Sequence, residues 1–269
     1  MKRHLLLLLL FCSLLGWSQK KNHLQEMKLN GKVKYLKIYE YNDGILELVK
    51  EYFFNRQGNI ERNNVYEKDK LISEFIYYFD KQGRVSSSDI YYYGDHPKEG
   101  RLVYIYDKRG NSIQEEYYED DKLQQYTQNK YDNDNHIILS TLYVNEKELH
   151  HFEFTYNDNN QLVEVKRFDS KNVLESILKN CYNSAGNLYE SDTYSAKGKE
   201  YSQKMEYNEY NNITKDRFVG ENYTSENNYQ YEYDSYHNYI NKKISKMQEK
   251  RNNLENVYLK EHREIKYYE

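Results

Sequence analysis

An aromatic residue, then Asp or Asn, two variable positions, Gly or a substitute, and soon after an aliphatic residue recur eight times along this 269-residue chain. The copies begin with Phe54-Asn55-Arg56-Gln57-Gly58-Asn59-Ile60, Phe79-Asp80 to Val85, and Tyr106-Asp107 to Ile113 with one extra residue. Tyr131-Asp132 to Ile137, Tyr156-Asn157 to Leu162, Tyr182-Asn183 to Leu188, Tyr207-Asn208 to Ile213 and Tyr233-Asp234 to Tyr239 complete the set. Successive anchors lie 25, 27, 25, 25, 26, 25 and 26 residues apart. A fixed period of this length means one supersecondary unit stacked many times.

The motif has the chemistry of a tight reversal. Asp or Asn opening a type I turn accepts a hydrogen bond from the backbone two residues on, and the fourth position needs a left-handed conformation. Gly58, Gly83, Gly110 and Gly186 fill that fourth place, and Asn135, Asn160, Asn211 and His237 replace them elsewhere. All come from residue types that tolerate positive φ. A hairpin loop of three to four residues follows. Midway through each repeat lies a second, looser turn, as in Tyr66-Glu67-Lys68-Asp69-Lys70-Leu71, Tyr118 to Leu123, Tyr143 to Leu149, Phe168 to Asn172 and Tyr194 to Gly198. Tyr93 to Gly100 is the longest of these and holds the only proline, Pro97.

Two turns per repeat give two antiparallel strands. Before each anchor, alternate positions are aromatic or aliphatic: Phe75, Tyr77 and Phe79; Leu102, Tyr104 and Tyr106; Phe152, Phe154 and Tyr156. That is the period of a strand with one buried face. After the turn, Ile60, Arg62, Asn64 and Tyr66 share a face, as do Leu162, Glu164, Lys166 and Phe168. Polar middles of this kind suit a hydrated concave side. The expected fold is therefore all-β: an array of hairpin repeats of about 25–26 residues forming one long curved or coiled meandering sheet. Residues 51–245 hold the repeats, 19–50 an N-terminal cap and 246–269 a degenerate repeat or cap, with terminal helix the alternative for Met247 to Lys260. Tyr258 and Ile265 stand one period beyond Tyr233.

The quoted turns, above all Tyr106-Asp107-Lys108-Arg109-Gly110-Asn111 and Phe79-Asp80-Lys81-Gln82-Gly83-Arg84-Val85, resemble the YD repeats of Rhs-type proteins. The resemblance implies antiparallel hairpins spiralling as a continuous sheet, and it implies an architecture rather than an activity. The second turn is also similar to MORN-variant repeats.

Residues 1–18 read as a secretory signal peptide: Lys2, Arg3 and His4, an apolar run from Leu5 to Leu15, then Gly16-Trp17-Ser18 before Gln19. The run is too short to span a bilayer, which takes roughly 20 residues. Phe11 is not the small residue a lipobox places before its cysteine, so Cys12 does not read as a lipid anchor. Cleavage leaves Cys181 as a lone thiol, expected on a buried strand position, and no intramolecular disulfide. The chain reads as bacterial and exported: periplasmic, cell-surface or secreted.

Composition excludes other classes. The 39 basic and 43 acidic residues nearly cancel to −4, which argues against a nucleic-acid partner. A mean hydropathy of −1.11 excludes a polytopic helical membrane protein. Charges such as Arg62, Glu115, Glu164 and Lys215 within strands argue against stable transmembrane insertion, because a membrane barrel needs an outward apolar band.

The chemistry-bearing strings resolve into structure. Ser195-Ala196-Lys197-Gly198-Lys199 lacks the spacing of a phosphate loop and reads as a turn. His151-Phe152-Glu153 has no paired cysteines to complete a zinc site, and His150 and His151 point to opposite faces of a strand. Asp132-Asn133-Asp134-Asn135 is metal-like, yet a calcium loop would need Gly and Glu where Ile137 and Tyr143 stand, and the string sits in register with the repeat turns. No cofactor and no catalytic or metal residue is assigned. Six of the 33 tyrosines are motif anchors, where cross-strand packing accounts for them. Tyr91, Tyr92, Tyr93, Tyr229, Tyr231 and Tyr236 stand outside that register and are candidates for recognition. The expected function is a non-enzymatic β-repeat protein offering an extended surface to a protein or glycan, with a structural or assembly role in the cell envelope, or an unrecognised enzyme, as alternatives.

Overall fold

The computed structural model describes residues 22–42, 44–250 and 253–269, without the side chains of 42, 246–250 and 253–260. The proposed signal peptide and Cys12 lie outside the described residues. A one-turn helix, α1 (His23–Glu26), precedes eighteen strands. They are β1 (Val33–Asn42), β2 (Ile45–Phe54), β3 (Ile60–Glu67), β4 (Lys70–Phe79), β5 (Val85–Tyr92) and β6 (Lys98–Tyr106). Next come β7 (Ser112–Glu119), β8 (Lys122–Tyr131), β9 (Ile137–Val144), β10 (Lys147–Tyr156), β11 (Leu162–Asp169) and β12 (Leu174–Tyr182). The last are β13 (Leu188–Ser195), β14 (Gly198–Tyr207), β15 (Ile213–Gly220), β16 (Thr224–Tyr233), β17 (Tyr239–Lys250) and β18 (Asn253–Tyr267).

Every strand pairs antiparallel with its sequence neighbours, and β1 also pairs with β18, from Val33 opposite Tyr267 to Glu40 opposite Glu261. The meander is thus a closed barrel rather than an open or coiled sheet. Closure removes both sheet edges, so the terminal segments serve as paired wall and not as caps over exposed edges. Residues 246–250 and 253–260 continue β17 and β18, which corrects the helical alternative for this stretch. No turn follows Tyr258; β18 runs through it, and Ile265 pairs with Leu36 across the seam.

The eight motif turns gather at one end. In each, the opening Asx accepts from the amides two and four residues on, as Asp132 Oδ1 does from Asp134 (2.9 Å) and His136 (2.8 Å). The fourth residue is left-handed, with φ +83° at Gly58, +66° at Asn135 and +61° at His237. This is a type I turn closed by a bulge, the three-residue hairpin solution. At the other end, Lys68–Asp69, Asp120–Asp121 and Asn145–Glu146 have φ between +48° and +64°. These are two-residue type I′ turns, tighter than expected for the second turn. Asp169–Asn172 is an exception there, repeating the Asx geometry of the opposite end.

The anchor tyrosines have a second job besides packing. Tyr106, Tyr131, Tyr182 and Tyr207 donate their hydroxyls to the carbonyls of Val85, Ser112, Leu162 and Leu188 at 2.7–2.9 Å. Each acceptor sits at the start of the preceding strand, beside the bulge.

Alternation divides the wall into two faces. One carries Leu36, Phe54, Phe75, Ile90, Leu142, Phe152, Phe154 and Val165, each at most 8 % exposed. Small residues sit under large ones on this face: Ser88, fully buried, lies between Tyr77 and Leu102, and Gly100 lies beneath Tyr117, where a Cβ would come within 2.8 Å of the ring. In a single-layer closed sheet only the concave side crowds side chains in this way, so this is the inner face. The face of Arg62, Asn64 and Tyr66, and of Glu164, Lys166 and Phe168, is the outer one. That reverses the expectation of a hydrated concave side. Glu115 is buried on the inner face, whereas Arg62, Glu164 and Lys215 are outward. Cys181 is exposed on β12, not buried.

The segment 22–32 lies across the mouth at the Asx-turn end. Leu24 and Leu29 join Val33, Leu36, Phe54 and Ile60 in a core cluster, with Tyr77, Ile265 and Tyr267 against it. The same segment reaches hairpins on both sides of the seam: Asn22 Nδ2 donates to Gln57 O (2.7 Å) and Lys28 Nζ to Asn211 O (3.3 Å). Asn30 and Asn238 exchange hydrogen bonds at 2.7 and 2.9 Å.

Candidate binding surface

Some buried polar groups of the inner wall are satisfied within it, whereas Asn129 Oδ1 and Thr193 Oγ1 are buried without a hydrogen-bond partner. Asp216 accepts from Asn227 Nδ2 at 2.6 Å and Tyr229 Oη at 3.0 Å. Tyr231 donates to Ile213 O at 2.7 Å. Both tyrosines, expected as candidates for recognition, are therefore structural. Burial pushes the Tyr229, Tyr106 and Tyr156 hydroxyls up to about 12. Near the seam, Glu261 accepts from Lys242 Nζ, Arg263 Nε and Tyr239 Oη, with the Arg263 guanidinium 3.5 Å from the Tyr239 ring centroid. Burial alone would raise the Glu261 pKa, but the two cations outweigh it and hold the carboxyl below its usual range.

The sequence candidates separate in space. His150 faces inward with Arg167 and Glu175, while His151 faces outward, stacked on Phe168 at 4.8 Å and bonded to Glu148. The opposite orientation expected of these neighbours is therefore observed. Asp132, Asp134 and His136 could offer ligand atoms within 4.8 Å of one another. The Asp132 carboxylate, however, is already engaged by the two turn amides and by His136 Nδ1 at 3.1 Å. Ser195 pairs with Gly198 across the β13–β14 hairpin, and Lys197 N donates to Ser195 Oγ, so that string is a turn.

Tyr91, Tyr92 and Tyr93 diverge. Tyr92 points inward against the Phe75–Ile90–Tyr117 cluster, and Tyr93 is 43 % exposed, donating to Glu74 at 3.1 Å. Tyr91 lines an open groove of about 480 Å³ on the outer wall together with Asp89, Glu99, Arg101, Tyr118, Asp120 and Asp121. Arg101 Nε lies 3.7 Å from Asp89, which also accepts from Tyr78 Oη at 2.9 Å. The groove flanks 93–97, the longest of the second turns, where the repeat spacing stretches to 27 residues. Tyr236 is half exposed at the opposite end, stacked on Tyr267 at 4.2 Å. Sequence reasoning named Tyr91 but missed Asp89, two residues before it on β5, and Arg101 and Tyr118, which come from β6 and β7 and meet it only through register. A second cleft, about 740 Å³, lies between the turns at 157–161 and 182–186 and is lined largely by amides, with Cys181 at its edge.

Elsewhere the outer wall carries ion pairs: Arg62–Glu74 (3.5 Å), Lys166–Glu164 (3.2 Å), Lys204–Glu190 (3.2 Å) and Lys215–Glu226 (3.0 Å). No helix among the described residues is long and apolar enough to cross a membrane, which says nothing about strands.

No protein-family description matches the chain, and no curated protein matches it. Among solved structures, a porin-like protein from Bacteroides uniformis ATCC 8492 aligns over 88 % of this chain and 99 % of its own, with TM-score 0.53 and 9 % identity. At that identity the likeness is one of fold. A Photorhabdus luminescens Tc holotoxin pore (TM-score 0.35, 11 % identity, 82 % of this chain and 13 % of that one) carries no weight. Nor does a porin-like protein from Bacteroides vulgatus ATCC 8482 (0.30, 12 %, 88 % and 98 %).

Proposed function

We propose that this chain is an exported, non-enzymatic β-barrel that binds a protein or glycan on its outer wall, at the groove of Tyr91 and Tyr118. The observation that carries the reading is the groove itself. Two tyrosines and four carboxylates flank Arg101 beside the longest of the second turns, where the repeat is lengthened. Aromatic faces stack on sugar rings or apolar side chains, and carboxylates accept from hydroxyls or amines. The Asx turns support kinship with YD-type repeats.

Binding of the mature chain to glycan and peptide arrays tests the function. Tyr91→Ala with Tyr118→Ala should lower affinity at least about tenfold, in line with aromatic anchors of binding sites. Unchanged binding would place the site elsewhere, and a hydrolytic activity copurifying with a ligand-free protein would overturn the reading. Export is tested by mass: protein recovered from the periplasm or medium should begin at Gln19.

The porin-like neighbour prompts a second reading, a membrane-spanning barrel. The charged outer wall opposes it, since a lipid-facing cation costs about 2–4 kcal/mol at mid-bilayer. Detergent-free solubility of the mature chain decides between the two.

A further inference from the structure

The segment crossing the Asx-turn mouth is held by a bond whose acceptor can be protonated. His23, the first residue of α1, accepts the Ile60 amide proton on Nδ1 at 3.0 Å. Its ring lies 6.0 Å from that of Tyr77 on β4. Leu24 N donates to Gly58 O at 3.0 Å, and Leu24 sits in the core cluster with Ile60, so α1 and the β2–β3 hairpin dock as one contact. An imidazole accepts on Nδ1 only while that nitrogen carries no proton.

We propose that residues 22–32 form a strap closing one mouth of the barrel, and that protonation of His23 releases it. With a proton on Nδ1, the Ile60 N–H faces another N–H and loses its acceptor, and the charged ring lies in an apolar site. The groups facing His23 are the Tyr77 ring from β4, and the Asn59 side chain and Ile60 amide from the β2–β3 hairpin. Glu26, Lys28 and Lys32 are the charged residues of the strap itself. Burial is the largest influence on the ring and disfavours a positive charge there.

The sign follows from burial, which holds the His23 pKa below the ordinary 6.5 against a smaller opposing effect of Asn59. The released strap therefore binds the proton more tightly than the docked one. Docking is at full strength above pH 6.5 and weakens as pH falls through that value toward the lowered pKa, by up to about tenfold per pH unit. Release would uncover Phe54, Ile60 and Tyr77 at the mouth, leaving the wall intact.

Hydrogen exchange on the mature chain, corrected for intrinsic rates, tests this between pH 7.5 and pH 5. The Ile60 amide and those of residues 24–29 should exchange roughly tenfold faster at the lower pH. Amides of β9 to β12 should not change. His23→Asn keeps an acceptor near the Nδ1 position and should abolish the pH response. An equal response in His23→Asn, no response in the unaltered chain, or equal acceleration in β9 to β12 would each overturn the strap. Circular dichroism of both proteins at each pH shows that the barrel is folded, and an NMR titration placing the His23 pKa at or above 6.5 would overturn the sign.

Discussion

The same strands present two chemistries on alternate residues. Inward, Leu36, Phe75, Ile90 and Phe152 pack around Ser88, Ser140 and Gly100, and tyrosine hydroxyls end on carbonyls or carboxylates. Outward, Lys204 opposite Glu190 and Lys215 beside Glu226 form pairs in which lysines are a third to two-thirds exposed. The inner face excludes water and therefore holds the stability. Apart from the buried Glu51 and Asn64, the outer face stays wet, so its charges add little energy and are free to set solubility and recognition.

Substitutions of graded size break this comparison if it is wrong. Leu36→Ala at the seam, fully buried in the wild type, should cost about 2–5 kcal/mol in denaturant midpoint experiments and loosen the β1–β18 closure. Glu261→Gln strips the buried partner from Lys242 and Arg263 and should cost about 3 kcal/mol. Because the folded Glu261 pKa lies below 4.5, its contribution is present above that pH and disappears as pH falls through the folded value. The Gln variant should flatten that part of the acid-unfolding profile.

Tyr131→Phe removes only the hydroxyl bonded to Ser112 O and should cost about 1 kcal/mol, whereas Tyr78→Phe, on the exposed outer face, should cost less in the same melts. Smallest is Lys204→Ala, whose effect should stay within about 0.5 kcal/mol and shrink further in salt. A large effect from Lys204 or a negligible one from Leu36 would reverse the assignment of the faces.

Much of the wall was legible. Asx followed by a left-handed residue specifies a turn locally, and the period of two before each anchor specifies which residues share a face. Phe75 and Tyr77, Leu102 and Tyr104, and Phe152 and Phe154 do lie together on the covered side. Which side was concave could not be read, because polar middles suit any wet surface and curvature is a property of eighteen strands together. Cys181 was misplaced for the same reason: it stands one residue off the buried alternation, between Asn180 and Tyr182. Of the groove, Tyr91 was visible as an aromatic outside the repeat, but Tyr118 looked like ordinary second-turn patterning until register set it opposite Arg101.

The sequence by itself determined an all-β hairpin array, its turn positions and its two faces, because turns and alternation depend on residues within a few positions of one another. Tertiary structure alone decided that the array closes. The pairing of β1 with β18 joins residues more than two hundred positions apart and depends on the accumulated twist of every hairpin between them. It decided the strap as well, since the reach of Asn22 and His23 to the β2–β3 hairpin and of Asn30 to the β16–β17 turn exists only once the mouth has formed.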